Sequence, residues 1–348
     1  MTTVTDEYDY VVGVDTHAKT HTYAVLAADT GRVIDSAMFP TSPTGISRAL
    51  AWMHRRAEGR LLIAIEGAGS YGAVIARVFQ DAGLSVCDVR PPKRASRAGR
   101  GKSDEIDAVA AARTALATDV ERLAEPRSDG IRAALRVLLM ARQALDGRRT
   151  ADRNALTALT RSFQLGMDVR KPLTDGQVRE IAGWRHRPAE DAPMTTIRQE
   201  ARRLAASIIE LTEQLELNRD ALADYVEQLA PGLQNIRGVG PVTGAQVLAA
   251  YSHKGRIRSE AAFANLAGAA PLQASSGNTT RHRLNRQGDR QLNRALDTIV
   301  RVRLTCDRGT QDYMQRRTAE GKSRREVRRS LKRYLVRQLF RQLNTVMA

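Results

Sequence analysis

Tyr10-Val11-Val12-Gly13-Val14-Asp15 and Leu61-Leu62-Ile63-Ala64-Ile65-Glu66 are two apolar runs that each end on a carboxylate. Short, β-branched-rich runs of this kind read as buried strands. Working outward from the first, residues 10–16, 21–28 and 32–39 are predicted strands, and the turn Asp29-Thr30-Gly31 separates the last two. A helix is expected at about 43–57, where Ile46, Leu50 and Met53 keep helical spacing. Strand 61–66, a helix at about 70–82, strand 84–89 and a helix from 104 follow. Ser103 reads as the N-cap of that last helix. Asp104 and Asp107 stand three residues apart in its first turn, on one face.

The order β-β-β-α-β-α-β-α is that of a ribonuclease-H-like (RuvC-like) domain: an antiparallel meander, then strands joined by helical crossovers. Such a mixed sheet brings Asp15, Glu66, Asp104 and Asp107 together. Clustered carboxylates raise one another's pKa unless a cation sits among them. Oxygen ligands suit magnesium or manganese, ions that serve where phosphodiesters are cut and joined. Each acid alone has an ordinary explanation, since aspartates end strands, and the helix dipole favours one at the position of Asp104. The set of four carries the expectation of a metal site. Glu105 should face away from it, and His17 and His21 read as packing or surface groups. The segment 91–103, PPKRASRAGRGKS, has five basic groups and no acid, so Arg97 and Lys102 are expected to meet phosphates.

Residues 129–164 read as one long amphipathic helix. Residues 166–195, with Gly166, Pro172, Gly176, Pro188 and Pro193, read as a linker. From Ile197 through Ala201, Leu204, Ile208, Leu211, Leu215, Asn218, Leu222, Tyr225 and Leu229 the steps alternate between 4 and 3, a coiled-coil seam. Its partner is either a second chain, whose register Asn218 would fix, or the helix 129–164 of the same chain. Beyond it, Ile236-Arg237-Gly238-Val239-Gly240-Pro241 resembles a helix–hairpin–helix, in which glycines such as Gly238 and Gly240 let backbone N–H groups approach a phosphate. A plain turn between helices is the alternative. The tract 322–341 reads as a basic amphipathic helix carrying Val327, Leu331, Leu335 and Leu339. The expected domains are 1–165 (with the long helix), 166–230 (linker and coiled coil) and a mostly helical 231–348.

Charge separates these parts. Residues 1–234 hold 32 Lys and Arg against 31 Asp and Glu, whereas residues 235–348 hold 23 against 7. Nearly all of the net +17 therefore lies in the last third, the footprint of a polyanion binder. Aromatic residues are only 4%, which argues against base stacking as the main mode of binding. The polar first ten residues make no signal peptide, and no apolar stretch approaches a membrane span. Cys87 and Cys306 lie far apart and read as free thiols of a reducing cytoplasm.

A second cluster lies in the basic part: Gly268-Ala269-Ala270-Pro271, then Ser275-Ser276-Gly277, then Arg281, Arg286, Gly288-Asp289-Arg290 and Arg294. A serine hydroxyl set among arginines could donate to a phosphate, or attack phosphorus while guanidinium groups hold the charge. Residue chemistry leaves both open. The whole chain resembles the DEDD transposases of bacterial insertion sequences, the group that includes pilin-gene invertases and bridge-RNA-guided recombinases. The resemblance rests on Gly13-Val14-Asp15-Thr16-His17, Ile65-Glu66-Gly67, Lys102 through Ala108, Ile236 through Pro241, Gly268 through Pro271, Ser276-Gly277, Arg286 and Gly288-Asp289-Arg290. Where the family carries a glycine in the loop after Gly268, this chain has Ala269-Ala270. The resemblance implies magnesium on Asp15, Glu66, Asp104 and Asp107. It also implies a site-specific recombinase in which Ser276, preceding Gly277, attacks the DNA backbone and becomes joined to it; Ser275 is the neighbouring candidate. It further implies dimers or tetramers, donor and target DNA, a structured guide RNA, and a place at the bacterial nucleoid. The rival readings are a RuvC-like junction resolvase that uses water, and a non-catalytic nucleic-acid-binding protein.

Overall fold

Helix α1 (Val4–Glu7) precedes the meander β1 (Tyr10–Thr16), β2 (Thr20–Ala27) and β3 (Val33–Pro40) in the computed structural model. Then come α2 (Pro43–Arg56), β4 (Leu61–Glu66), α3 (Ala73–Asp81), β5 (Ser85–Val89) and α4 (Asp104–Leu116). The structure describes residues 2–89, 103–127, 130–167, 170–273, 282–283, 285 and 288–347. The sheet order is β3-β2-β1-β4-β5. β2 is antiparallel to both neighbours, and β4 is parallel to β1 and β5. This is the mixed ribonuclease-H-like sheet expected from the element order.

The apolar runs do not alternate because both faces of the sheet are covered. Val12, Val14, Tyr23, Ile63 and Ile65 pack under α2 and α3 against Ile46, Trp52, Met53, Ile75 and Phe79. Val11, Ala24, Leu62, Ala64 and Cys87 pack under Ala108, Ala111, Ala112 and Ala115 of α4. Small residues on α4 let that helix lie close to the sheet, and Gly13 makes the approach closer still. A Cβ at Gly13 would stand 1.9 Å from the Ala108 carbonyl oxygen and 2.6 Å from the Ala112 nitrogen. Strand parity then decides the site. Val11 and Gly13 face α4, so Asp15 does too. In the parallel register Gly13 pairs with Ala64 and Val14 with Ile65, which brings Glu66 alongside Asp15.

The second unit runs from Ser128 to Ala348, the first from Met1 to Arg127. It contains α5 (Ile131–Ser162), α6 (Asp175–Ala182), α7 (Ala192–Leu229), α8 (Pro241–Tyr251) and α9 (Glu260–Leu266). A two-residue ladder of β6 (Leu272–Gln273) and β7 (His282–Arg283) follows, then α10 (Arg290–Cys306), α11 (Arg308–Ala319) and α12 (Arg324–Val346). The division falls ahead of the long helix that the sequence reading attached to the first domain. α5 belongs instead with the helices after it, because its Leu135 joins the core of Leu222, Val226, Leu248 and Leu339.

One open choice is decided here and one expectation is corrected. The heptad seam of α7 is not left over for a second chain: Ala201, Leu204, Ile208, Leu211, Leu215, Asn218 and Leu222 are buried within this one. α5 covers it. Asn218 Nδ2 donates to the Leu138 carbonyl at 3.0 Å, Arg142 to the Leu215 carbonyl at 3.0 Å, and Ser207 Oγ to Asp152 at 2.6 Å. A 4-3 repeat states that a helix needs a partner, not which one. The segment 166–195 is not a plain linker either. It forms α6, started by a capping box in which Thr174 and Gln177 exchange hydrogen bonds. Leu165, Leu173, Val178 and Ile181 then pack against Leu204 and Ile208. The glycine and proline content hid a helix of only 8 residues.

Candidate metal centre

α4 begins where it was expected to: Ser103 Oγ accepts from the Ile106 N–H at 3.3 Å, and Asp104 and Asp107 lie in the first turn. That turn meets the end of β1. Asp15 is 7% exposed, and its Oδ2 is a buried oxygen with no hydrogen-bond donor among the described residues. His17 Nε2 stands 3.1 Å from it, within ion-pair distance. The same Nε2 is 3.4 Å from Asp104 Oδ1. Ligand atoms of Asp15, His17 and Asp104 all fall within 4.8 Å of one another.

Burial pushes the Asp15 carboxyl above its ordinary pKa; His17 opposes the rise, while the charges of Asp107 and then Asp104 add to it. The protein therefore holds a desolvated carboxylate among like charges, with one oxygen unsatisfied. That arrangement fits a divalent ion, whose charge would remove the repulsion and whose coordination would satisfy the oxygen. Glu66 is half-buried at the end of β4, and Thr16 Oγ1 donates to its backbone oxygen at 2.7 Å, tying the two strand ends together. Its carboxylate is outside the tight group of three. Glu105 is exposed, as expected.

His17 is exposed, as a surface group would be, yet its Nε2 lies beside both Asp15 and Asp104. The turn into β2 folds it back over the acids while its side chain stays about half exposed. His21 does pack: it is 2% exposed and edge-on to Tyr23, and burial followed by the charge of His17 lowers its pKa. Its Nδ1 accepts from the His17 N–H at 3.3 Å, so the second histidine braces the turn that carries the first. The signal was present as the spacing Asp-x-His-x-x-x-His, unreadable without the pairing of Thr16 with His21.

In the second unit, Gly238 has φ +85° and sits on α10, where a Cβ would meet the Ile299 carbonyl oxygen at 2.9 Å. Gly240 caps α8, and its N–H is taken by Thr243 Oγ1 at 2.9 Å. Packing and capping thus account for both glycines without a phosphate. Arg290 and Arg294 lie exposed on α10 and have no ion-pair partner among the described residues. Arg97, Lys102, Ser275, Ser276, Arg281 and Arg286 lie outside the described residues. The start of α10 is anchored: the Asp289 N–H donates to the Leu266 carbonyl at 2.7 Å and Asn293 Nδ2 to that of Ala267 at 2.6 Å. No described helix is long and apolar enough to cross a membrane.

A ribonuclease-H-like sheet with aspartates at the end of β1 and in the first turn of α4 defines the DEDD class of nucleic-acid enzymes. Family comparison narrows that class. An IS110-type DEDD transposase model, described as "Transposase", matches residues 12–163, and the model "Transposase IS116/IS110/IS902 family" matches residues 230–315. The chain belongs to the IS110 family of DEDD transposases, enzymes that cut and rejoin DNA. No curated protein matches it.

Proposed function

We propose that this transposase acts as a site-specific recombinase of an insertion sequence, with a divalent ion, magnesium or manganese, held by Asp15, Glu66, Asp104 and Asp107. The observation that carries this reading is the buried, donor-less Oδ2 of Asp15 beside Asp104. When bound, the ion would offset negative charge on a scissile phosphate. The chain's own residues do the rest. Gly13 seats α4 so that its carboxylates reach β1, and the Thr16 bond holds the ends of β1 and β4 together. The excess of basic groups after residue 234, Arg290 and Arg294 among them, draws the DNA backbone in.

Ser276 is the proposed nucleophile. Its oxygen forms a bond to phosphorus, the bond from phosphorus to one sugar oxygen breaks, and the serine proton passes to that leaving oxygen. One phosphodiester is exchanged for another, so strand joining needs no external energy source. The reading extends to a structured guide RNA, assembly of two or four copies, and action at the nucleoid. The test is to incubate the protein with DNA spanning the element ends, with and without the transcript encoded there, and look for protein–DNA adducts under denaturing conditions. Ser276→Ala should abolish adducts and keep DNA binding. Adducts that persist in Ser276→Ala but vanish in Ser275→Ala would move the role by one residue. Cut DNA with free ends and no attached protein would favour the water-using resolvase.

A further inference from the structure

We propose that His17 is itself a ligand of the divalent ion, so that the centre has mixed nitrogen and oxygen donors and prefers manganese to magnesium. The inference rests on the metal-site reading above and goes beyond its all-carboxylate ligand set.

Three observations carry it. The first is distance. Two donors about 2.1 Å from one ion, on neighbouring corners of an octahedron, stand about 3.0 Å apart. His17 Nε2 is 3.1 Å from Asp15 Oδ2 and 3.4 Å from Asp104 Oδ1, close to that edge on both sides. The second is the state of Asp15. Its Oδ2 is buried, makes no hydrogen bond of good geometry, and has His17 Nε2 within ion-pair distance, which leaves both atoms able to share one ion. The third is preorganisation. The His17 N–H is held by the Thr20 carbonyl at 3.2 Å and by His21 Nδ1 at 3.3 Å. The turn is therefore braced from a buried residue of β2, while the His17 side chain stays about half exposed and open to an incoming ion. Magnesium takes oxygen donors and keeps its waters; manganese is also at home among carboxylates but, as a transition ion, gains more than magnesium does from a nitrogen donor. One nitrogen among the donors thus tilts the centre toward manganese.

The test uses the full chain without DNA. Binding of Mn2+ and Mg2+ is measured by calorimetry, and electron spin-echo spectra of bound Mn2+ are recorded for wild type, His17→Ala, His17→Gln and Asp15→Asn. Circular dichroism confirms that each variant is folded. We expect one strong Mn2+ site, lost in Asp15→Asn, with nitrogen-14 modulation in wild type and none in either His17 variant. Mn2+ affinity should fall on the order of 10-fold in His17→Ala while that for Mg2+ changes far less. Mn2+ bound through Asp15 without nitrogen modulation, or an unchanged Mn2+ to Mg2+ ratio in His17→Ala, would overturn the role of His17 and leave the carboxylate centre standing. Absence of any strong Mn2+ site in wild type would sink both.

Discussion

Replacing Gly13 by alanine should damage the metal centre without touching a single carboxylate. The added methyl would lie 1.9 Å from the Ala108 carbonyl oxygen, against an ordinary contact of 3.4 Å or more. Both atoms belong to regular elements, so no side chain can swing aside, and α4 must move off β1 by about 1.5 Å. Overpacking of this kind costs about 3 kcal/mol at the upper end of its usual range. In a unit of this size that is a fall of roughly 10 °C in melting temperature. The displacement also exceeds the tolerance of about 0.2 Å in ligand distance, because Asp104 and Asp107 ride on the first turn of the same helix. Divalent-ion affinity should therefore drop on the order of 100-fold even where the variant is still folded. Thermal denaturation and Mn2+ calorimetry on one preparation give both numbers. Gly147→Ala is the control: it lies inside α5 with no atom within 4 Å of its added methyl, and it should gain up to about 1 kcal/mol. A Gly13→Ala protein that melts and binds Mn2+ as wild type does would refute the close seating of α4 and the argument built on it.

Other outcomes follow from the same packing. Asp15→Asn should raise the stability of the metal-free protein at neutral pH, because it removes a desolvated charge. A raised native pKa means that the folded state binds the proton more tightly. Wild type should therefore regain that stability as pH falls through the raised value, and the gap between the two melting curves should close on acidification. Asn218→Leu should raise the melting temperature slightly and leave the sedimentation behaviour unchanged, since Asn218 Oδ1 is buried without a partner and the seam lies within one chain. Titration with a thiol reagent should find one fast and one protected cysteine. Burial, and after it the charge of Asp88, push the Cys87 thiol up to about 12, while Cys306 is exposed.

Much of the first unit was legible because its strands are short, apolar and bounded by turns. The run from Tyr10 to Thr16 and that from Leu61 to Glu66 begin and end where the sequence places them. The start of α4 was legible for a local reason as well, since Ser103 caps it through its own side chain. Helix α6 was missed: its capping box is a local signal, but glycine and proline nearby outweighed it. The partner of α7 could not be read at all, for a seam of alternating 4 and 3 steps satisfies a helix of its own chain and a helix of another equally well.

The sequence by itself determined the strands of the first unit and the start of α4, which acids stand at their ends, and where the positive charge collects, because these depend on neighbours within a few residues or on counting. Tertiary structure alone decided that His17 turns back over Asp15 and Asp104, and that the Glu66 carboxylate stands outside their tight group. It also placed the buried seam of α7 within one chain. Each of these depends on which side of a strand or helix another element covers. That choice is settled by the fit between surfaces far apart in the chain, such as Gly13 beneath Ala108, and no local pattern encodes it.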